Sequence, residues 1–307
     1  MLEFNFVTVS KNYKAGLFKK SVSAVRDLSF EVRKGEVFGM VGPNGAGKSS
    51  TIRLLLGLLR PDVGKIYFRG RQLQIREVQR AVGYLPESPY LYDHLTLVEL
   101  LRFCGRVSGL SPVDVRQRSE QLMERLAMTE ARKRPMRTYS KGMLQRAGIC
   151  FALLQDPELV VLDEPMSGLD PLGRKMVFDL ICELKKEGKT IFLCSHILND
   201  VERLCDRIGF MVNGSMVKTL ENTNTFVEKE SLLRFVVPVL SAAQEACLRP
   251  LLQELATEEK GQIISFWASE FHAVSQALRD MDVKVMSGRS TGLALEDIFL
   301  QEVMARQ

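Results

Sequence analysis

Val37-Phe38-Gly39-Met40-Val41 runs directly into Gly42-Pro43-Asn44-Gly45-Ala46-Gly47-Lys48-Ser49-Ser50. The first five residues are apolar on both faces, the pattern of a central parallel strand. The next eight fit G-x-x-x-x-G-K-[ST]. Behind them Ile52, Leu55, Leu56 and Leu59 recur at helical spacing, and Pro61 is expected to close the helix. Strand, loop and helix in that order suit an anion site. Glycines let backbone N–H groups turn inward around a phosphate, where a Cβ would block the approach. The following helix points its positive dipole end at the same place. Lys48 is placed to reach the β- and γ-phosphates of a nucleotide, and Ser49 to offer a hydroxyl to Mg²⁺.

A second run, Leu159-Val160-Val161-Leu162, ends in Asp163-Glu164-Pro165. Two carboxylates at the end of a buried strand stand where ligands sit in α/β sheets. Asp163 suits a Mg²⁺ ligand, direct or through water. Glu164 suits a base that takes a proton from an attacking water. The alternative, two solvated loop acids, loses ground beside a phosphate-binding loop.

Working outward, strands are expected at Phe4–Val9, Val22–Val32, Thr190–Cys194 and Arg207–Val212, with Asn213-Gly214 as a two-residue hairpin turn. Residues 94–154 read as helical. Thr96-Leu97-Val98-Glu99 is a capping box, Ser111-Pro112 an N-cap and N1 pair, and another helix starts near Ser140. Pro171 to Glu187 is a helix ended by Gly188. The pattern predicts a layered, largely parallel α/β core over 1–221 carrying an inserted helical subdomain at about 88–154. After the polar break at Glu221-Asn222-Thr223, residues 222–307 read as a small α+β domain. Its strands are expected at Leu232–Val239 and Gln262–Trp267, its helices at Ala242–Leu255 and Phe271–Met281.

Composition sets limits. Of 307 residues, 46% are hydrophobic and 26% charged, ample for a packed core. Lys plus Arg number 42 against 37 acids, and an excess of +5 over this length is no nucleic-acid footprint. Six cysteines lack C-x-x-C spacing and do not cluster with the three histidines, so they read as buried reduced thiols rather than metal ligands. Met1-Leu2-Glu3-Phe4-Asn5 has neither a basic nor an apolar leader region, so no secretory signal is expected. No stretch approaches the roughly 18 apolar residues of a membrane span. Work at a membrane would need a partner.

With both motifs in hand, the chain resembles the nucleotide-binding subunits of ATP-binding cassette (ABC) transporters, P-loop NTPases with an inserted helical subdomain. It is most similar to the bacterial export branch of daunorubicin-type (ABC-2) exporters. The resemblance covers about residues 4–220. Tyr139-Ser140-Lys141-Gly142-Met143 stands where the family's L-S-G-G-Q signature stands, departing from it at Lys141 and Met143. The resemblance implies that Ser140 and Gly142 contact the γ-phosphate of ATP held by an opposite subunit. Ser167-Gly168-Leu169-Asp170 resembles the D-loop. His196, 32 residues after Glu164, resembles the switch histidine that contacts the γ-phosphate and orients the water. Gly83-Tyr84-Leu85-Pro86-Glu87 occupies the Q-loop, with Glu87 where glutamine is usual. Tyr13 resembles the aromatic that stacks on adenine, and Phe18 competes for that role. Leu295-Glu296-Asp297-Ile298-Phe299-Leu300 resembles the ending common in this branch.

The resemblance implies an ATPase using ATP and Mg²⁺. Glu164, His196 and Lys48 would be catalytic. Tyr13, Gly42, Pro43, Asn44, Gly45, Ala46, Gly47, Ser49, Ser50, Glu87, Ser140, Gly142 and Asp163 would bind nucleotide or metal, with Ser49, Glu87 and Asp163 nearest Mg²⁺. It also implies a separate integral-membrane permease, a homodimer or paired cassette in the ATP state, no nucleic acid, and a cytoplasmic place on the inner face of the membrane. The rival is a soluble ABC ATPase acting on ribosomes or DNA. Against it stand the single cassette and the mere 92 residues from Lys48 to Ser140, which carry no sustained heptads.

Overall fold

The computed structural model describes residues 1–13, 22–221, 231–258, 261–267 and 270–292. Phe18 and the 295–300 ending lie outside these residues. The chain divides into two compact units, Met1–Glu221 and Asn222–Gln307.

In the first unit, β1 (Leu2–Tyr13) and β2 (Val22–Arg33) pair antiparallel. Phe4 and Phe6 point to the core, two residues apart. A register shift then follows, with Thr8 at φ 49°, and the extra residue returns Val9 to the buried face. The apolar run is β3 (Val37–Val41), buried at every residue. Its helix, α1 (Lys48–Leu55), ends four residues earlier than Leu59. Gly57, at φ 67°, terminates it: Leu58 N–H donates to Arg53 C=O at 2.9 Å and Gly57 N–H to Leu54 C=O at 3.1 Å. That is a Schellman closure, so a left-handed glycine stops the helix before Pro61 is reached.

Next come β4 (Val63–Phe68), β5 (Arg71–Gln72), α2 (Ile75–Ala81) and β6 (Val82–Leu85). Strands β2-β1-β4-β5 form an antiparallel sheet. The helices α3 (Leu97–Val107), α4 (Pro112–Arg125) and α5 (Lys141–Leu153) then run in succession. Thr96 and Glu99 form the capping box, Ser111 caps α4 with Pro112 at its first position, and Ser140 caps α5. The chain returns through β7 (Leu159–Asp163), α6 (Pro171–Lys186), β8 (Thr190–Ser195), α7 (Leu198–Leu204), β9 (Arg207–Val212) and β10 (Ser215–Glu221).

The second sheet has the order β10-β9-β3-β8-β7-β6. Four of its five pairings are parallel; the exception is β10, which Asn213 (φ 49°) and Gly214 (φ 87°) turn back against β9. Phe4 and Phe30 of one sheet meet Phe192 and Phe38 of the other at centroid distances of 5.4 and 5.6 Å. This aromatic layer joins the two sheets, each such contact adding roughly 0.5–1.5 kcal/mol beyond area burial. Because β3, β8, β7 and β6 are parallel neighbours, their carboxyl ends share one edge. That edge receives the residues after Val41, Ser195, Asp163 and Leu85.

The second unit contains β11 (Ser231–Val237), α8 (Ala242–Leu248), β12 (Glu254–Glu258), β13 (Gly261–Trp267), α9 (Phe271–Asp280) and β14 (Ser287–Gly292). The sheet order is β12-β13-β11-β14, antiparallel throughout, the split β-α-β pattern. The helix expected over 242–255 is half as long. It stops at Leu248, a 3-10 turn covers Arg249–Leu251, and Leu255 lies in β12. Pro250 offers no N–H to continue the helix.

Among the described residues no helix is long and apolar enough to cross a membrane. No disulfide links any of the six cysteines, all of which lie among the described residues. Cys150, Cys194 and Cys205 are buried, but Cys247 is exposed, so burial does not hold for the whole set.

Candidate active site

The loop after β3 is shaped by what lies beneath it. A Cβ on Gly42 would sit 2.3 Å from the Met211 carbonyl oxygen. One on Gly47 would sit 2.3 Å from that of Ala24. Gly47 is also at φ 109° and stands at the N-cap of α1. The hairpin after β9 props the loop from below, Gly214 N–H donating to Ala46 C=O at 2.9 Å. No side chain caps α1, so its first N–H groups are left to face a ligand.

Lys48 is 7% exposed. Its ammonium donates to Gly42 C=O at 2.7 Å and lies 3.8 Å from Glu164 Oε1. Glu164 occupies the sharp turn leaving β7, at φ 51°, a left-handed conformation that costs a non-glycine residue roughly 1–3 kcal/mol. Three bonds hold it there. Its N–H donates to Cys194 C=O at 2.9 Å, and its carbonyl accepts from Ser167 N–H at 3.0 Å and from Gln145 Nε2 at 3.1 Å. Its carboxylate is buried and accepts from His196 Nδ1 at 2.8 Å. With the glutamate ionised, that bond selects the Nδ1–H tautomer of the half-exposed imidazole.

Asp163, the last residue of β7, is buried, and its Oδ1 has no hydrogen-bond partner among the described residues. Burial pushes its carboxyl above the usual aspartate range. A hydrogen bond from Ser49 opposes that shift, and the charges of Glu164 and Glu87 add to it. A buried carboxylate oxygen without a donor, beside a serine hydroxyl and two further acids, is a donor set for a hard divalent cation, and Mg²⁺ fits it.

Tyr13, Asn44, Gly45, Ala46, Gly47, Lys48, Ser49, Ser50, Glu87, Asp163 and Glu164 converge on one open cleft of about 390 Å³. Tyr13 is anchored there by its hydroxyl, 3.3 Å from Ser50 Oγ. Gly42 and Pro43 contribute carbonyls to Lys48 rather than lining the cleft, and His196 reaches it through Glu164. Ser140 and Gly142 do not line it. Ser140 is exposed at the N-cap of α5, and Gly142 packs against the turn ahead of α6, where a Cβ would stand 3.3 Å from Gly168 C=O.

Two contributions were not foreseen from the sequence. Val22, Ser23 and Ala24, at the start of β2, form a wall of the cleft. Gln145, 1% exposed, bonds the Glu164 and Pro165 carbonyls. A buried glutamine just inside a helix start is the signal for the second. Nothing local announces the first, because it depends on β2 crossing behind the loop.

The sequence profile described as "ABC transporter" matches residues 25–167. The chain is 37% identical over 305 residues to the uncharacterized ABC transporter ATP-binding protein sll0415 of Synechocystis sp., covering 97% of this chain and 84% of that protein. It is 36% identical over 197 residues to Nod factor export ATP-binding protein I of Ralstonia nicotianae, covering 64% and 61%. A solved structure of the ATP binding subunit of an ABC transporter matches with a TM-score of 0.64 at 34% identity, covering 71% of this chain and 89% of that one. Phosphate loop, acidic strand end and relatives agree: the chain belongs to the ABC transporter family, as an ATP-binding subunit with the ATPase cassette.

Proposed function

We propose that this chain drives export through a separate integral-membrane permease, with Glu164 as the base of ATP hydrolysis. One observation carries the catalytic reading: the Glu164 carboxylate is held by a strained turn between Lys48 and His196, at the edge where β3, β8, β7 and β6 end. In this reading the γ-phosphate of ATP replaces the Gly42 carbonyl as the partner of Lys48. The α1 N–H groups and the loop amides bind the phosphate oxygens, and Tyr13 stacks on the adenine. Ser49, Asp163 and Glu87 would hold Mg²⁺, which when bound neutralises charge on the phosphate oxygens. A water oxygen attacks the γ-phosphorus and the bond to the bridging oxygen breaks. ADP leaves, and Glu164 accepts the water's proton. His196 orients the carboxylate. The acceleration is positioning plus electrostatic stabilisation.

Ser140 and Gly142, outside the cleft, have a role only if a second copy brings them to the γ-phosphate. The reading is therefore of a head-to-tail pair closed by ATP and opened by hydrolysis. Near Glu87 in sequence, Tyr90 is 97% exposed, and Tyr92 and Phe103 pack edge to face with centroids 6.4 Å apart on the surface. Exposed aromatics beside the Q-loop support docking of an apolar permease segment there, and with it a working position on the inner face of the membrane. Export rather than import draws support from the relative named for Nod factor export.

Mild-detergent co-purification tests the reading. It predicts that an integral-membrane protein accompanies the chain and that the reconstituted pair hydrolyses ATP faster than the chain alone. Recovery with ribosomes or DNA, and no membrane protein, would favour the soluble alternative.

A further inference from the structure

Helices α3 and α4 meet where Gly105 faces Val115, so closely that a Cβ on Gly105 would lie 2.3 Å from Val115 Cγ2. Beside this contact is a cavity of about 370 Å³ that shares no residue with the nucleotide cleft. Arg102, Arg106, Arg116, Arg132 and Lys133 line it, against a single acid, Glu120. Five cations less one carboxylate leave +4 in one small concavity. Glu120 is 3.3 Å from Arg116 Nε, while Arg102, Arg106, Arg132 and Lys133 form no ion pair among the described residues.

Ser119 supplies the second, independent observation. It also lines the cavity, is 6% exposed, and its hydroxyl has no hydrogen-bond partner among the described residues. A serine inside a helix ordinarily bonds the carbonyl four residues back or turns to water. Here the hydroxyl is buried and bonds no carbonyl among the described residues, beside buried Val115 and Met123.

We propose that this cavity binds a phosphate-bearing anion, presented by an acidic lipid headgroup or by a small soluble organic phosphate. Guanidinium groups match phosphate geometry with paired N–H donors, and several of them around one group suit a multi-oxygen dianion better than a lone carboxylate. The Ser119 hydroxyl donates from the floor, and Val115 and Met123 accept the ligand's carbon skeleton. The inference does not rest on the ATPase reading.

The test uses the full chain and two probes. Glycerol 3-phosphate is titrated calorimetrically, and vesicles of phosphatidylcholine with or without phosphatidylglycerol are pelleted with the protein. The variants are R106Q/R132Q, Ser119→Ala, and R76Q/R80Q, which removes equal charge from exposed positions on α2. All should melt and hydrolyse ATP as the parent does. Binding should weaken at least about tenfold in R106Q/R132Q, the scale of a lost charge-assisted contact. It should weaken about threefold or more in Ser119→Ala and stay unchanged in R76Q/R80Q. A response to glycerol 3-phosphate alone supports the site and assigns a soluble ligand. A response to phosphatidylglycerol vesicles alone supports it and assigns a lipid. Three results would overturn it: neither probe binds, R76Q/R80Q weakens binding as much as R106Q/R132Q, or Ser119→Ala changes nothing.

Discussion

Alanine at Gly47 and at Gly45 should separate the two reasons a phosphate loop needs glycine. Both residues have positive φ, 109° and 83°. Alanine at either position costs roughly 1–2 kcal/mol for its left-handed backbone. At Gly45 no atom lies within 4 Å of the added Cβ, so strain is the whole penalty. At Gly47 the new Cβ would stand 2.3 Å from Ala24 C=O and 2.7 Å from Met211 Cε. Backbone must then move, and overpacking of that kind adds about 1–3 kcal/mol. For a unit of this size each kcal/mol shifts melting by about 2–4 °C. Gly47→Ala should therefore melt about 2–12 °C below Gly45→Ala, measured by scanning fluorimetry of the two purified variants. It should also lose the rise in melting temperature that ATP gives the parent, because the displaced loop no longer presents its amides. Variants melting within about 1 °C of each other would refute the close approach of β2 to the loop.

Other substitutions address the chemistry. Glu164→Gln should lower the ATPase rate about 10²- to 10⁴-fold, the usual worth of a general base, while ATP still binds; a phosphate-release assay showing near-parental turnover would remove Glu164 as the base. Lys48→Ala should weaken ATP binding about 10- to 100-fold, the value of charged hydrogen bonds, as read by titration with a fluorescent ATP analogue. Gln145→Leu removes the side-chain donor to the Pro165 carbonyl and one of the two donors to the Glu164 carbonyl. It should cost about 1–3 kcal/mol in urea unfolding and reduce turnover as the strained turn relaxes. Glu36 gives a pH signature. Burial pushes its carboxyl above the ordinary glutamate range, against the opposing pull of Arg33 N–H and Arg207. The folded chain then holds the proton more tightly than the unfolded chain, so this group's contribution to stability falls as pH rises through that window. Melting of the parent relative to Glu36→Gln should decline from about pH 4 upward; a gap that widens instead would contradict the sign.

Why some of the site was legible in the sequence, and some was not, follows from the range of each interaction. The phosphate loop, the Asp163-Glu164 strand end, the capping box at Thr96 and the turn at Asn213-Gly214 are local devices, each written within about eight residues. The wall at Val22–Ala24 and the support of Glu164 by Gln145 are tertiary. They arise because β2 passes behind the loop and α5 faces the end of β7. The antiparallel strand β4 has no clear sequence signal, because its Val63 and Lys65 are exposed and only Ile66 and Phe68 are buried, too short an alternation to stand out. In the second unit, Leu248, Leu251, Leu252 and Leu255 keep a helical rhythm across a helix that has already ended, since periodicity does not register the missing N–H of Pro250. The signature serine shows the opposite case. Its sequence neighbourhood was readable, yet its proposed partner lies on another copy of the chain.

A crystal structure of the Glu164→Gln chain with MgATP would test the central claim most directly. The account predicts the triphosphate wrapped by residues 42–49, Lys48 on the β- and γ-phosphates, and a water between the γ-phosphorus and the side chain at position 164. A nucleotide seated elsewhere, or a side chain at 164 turned away from that phosphorus, would contradict it.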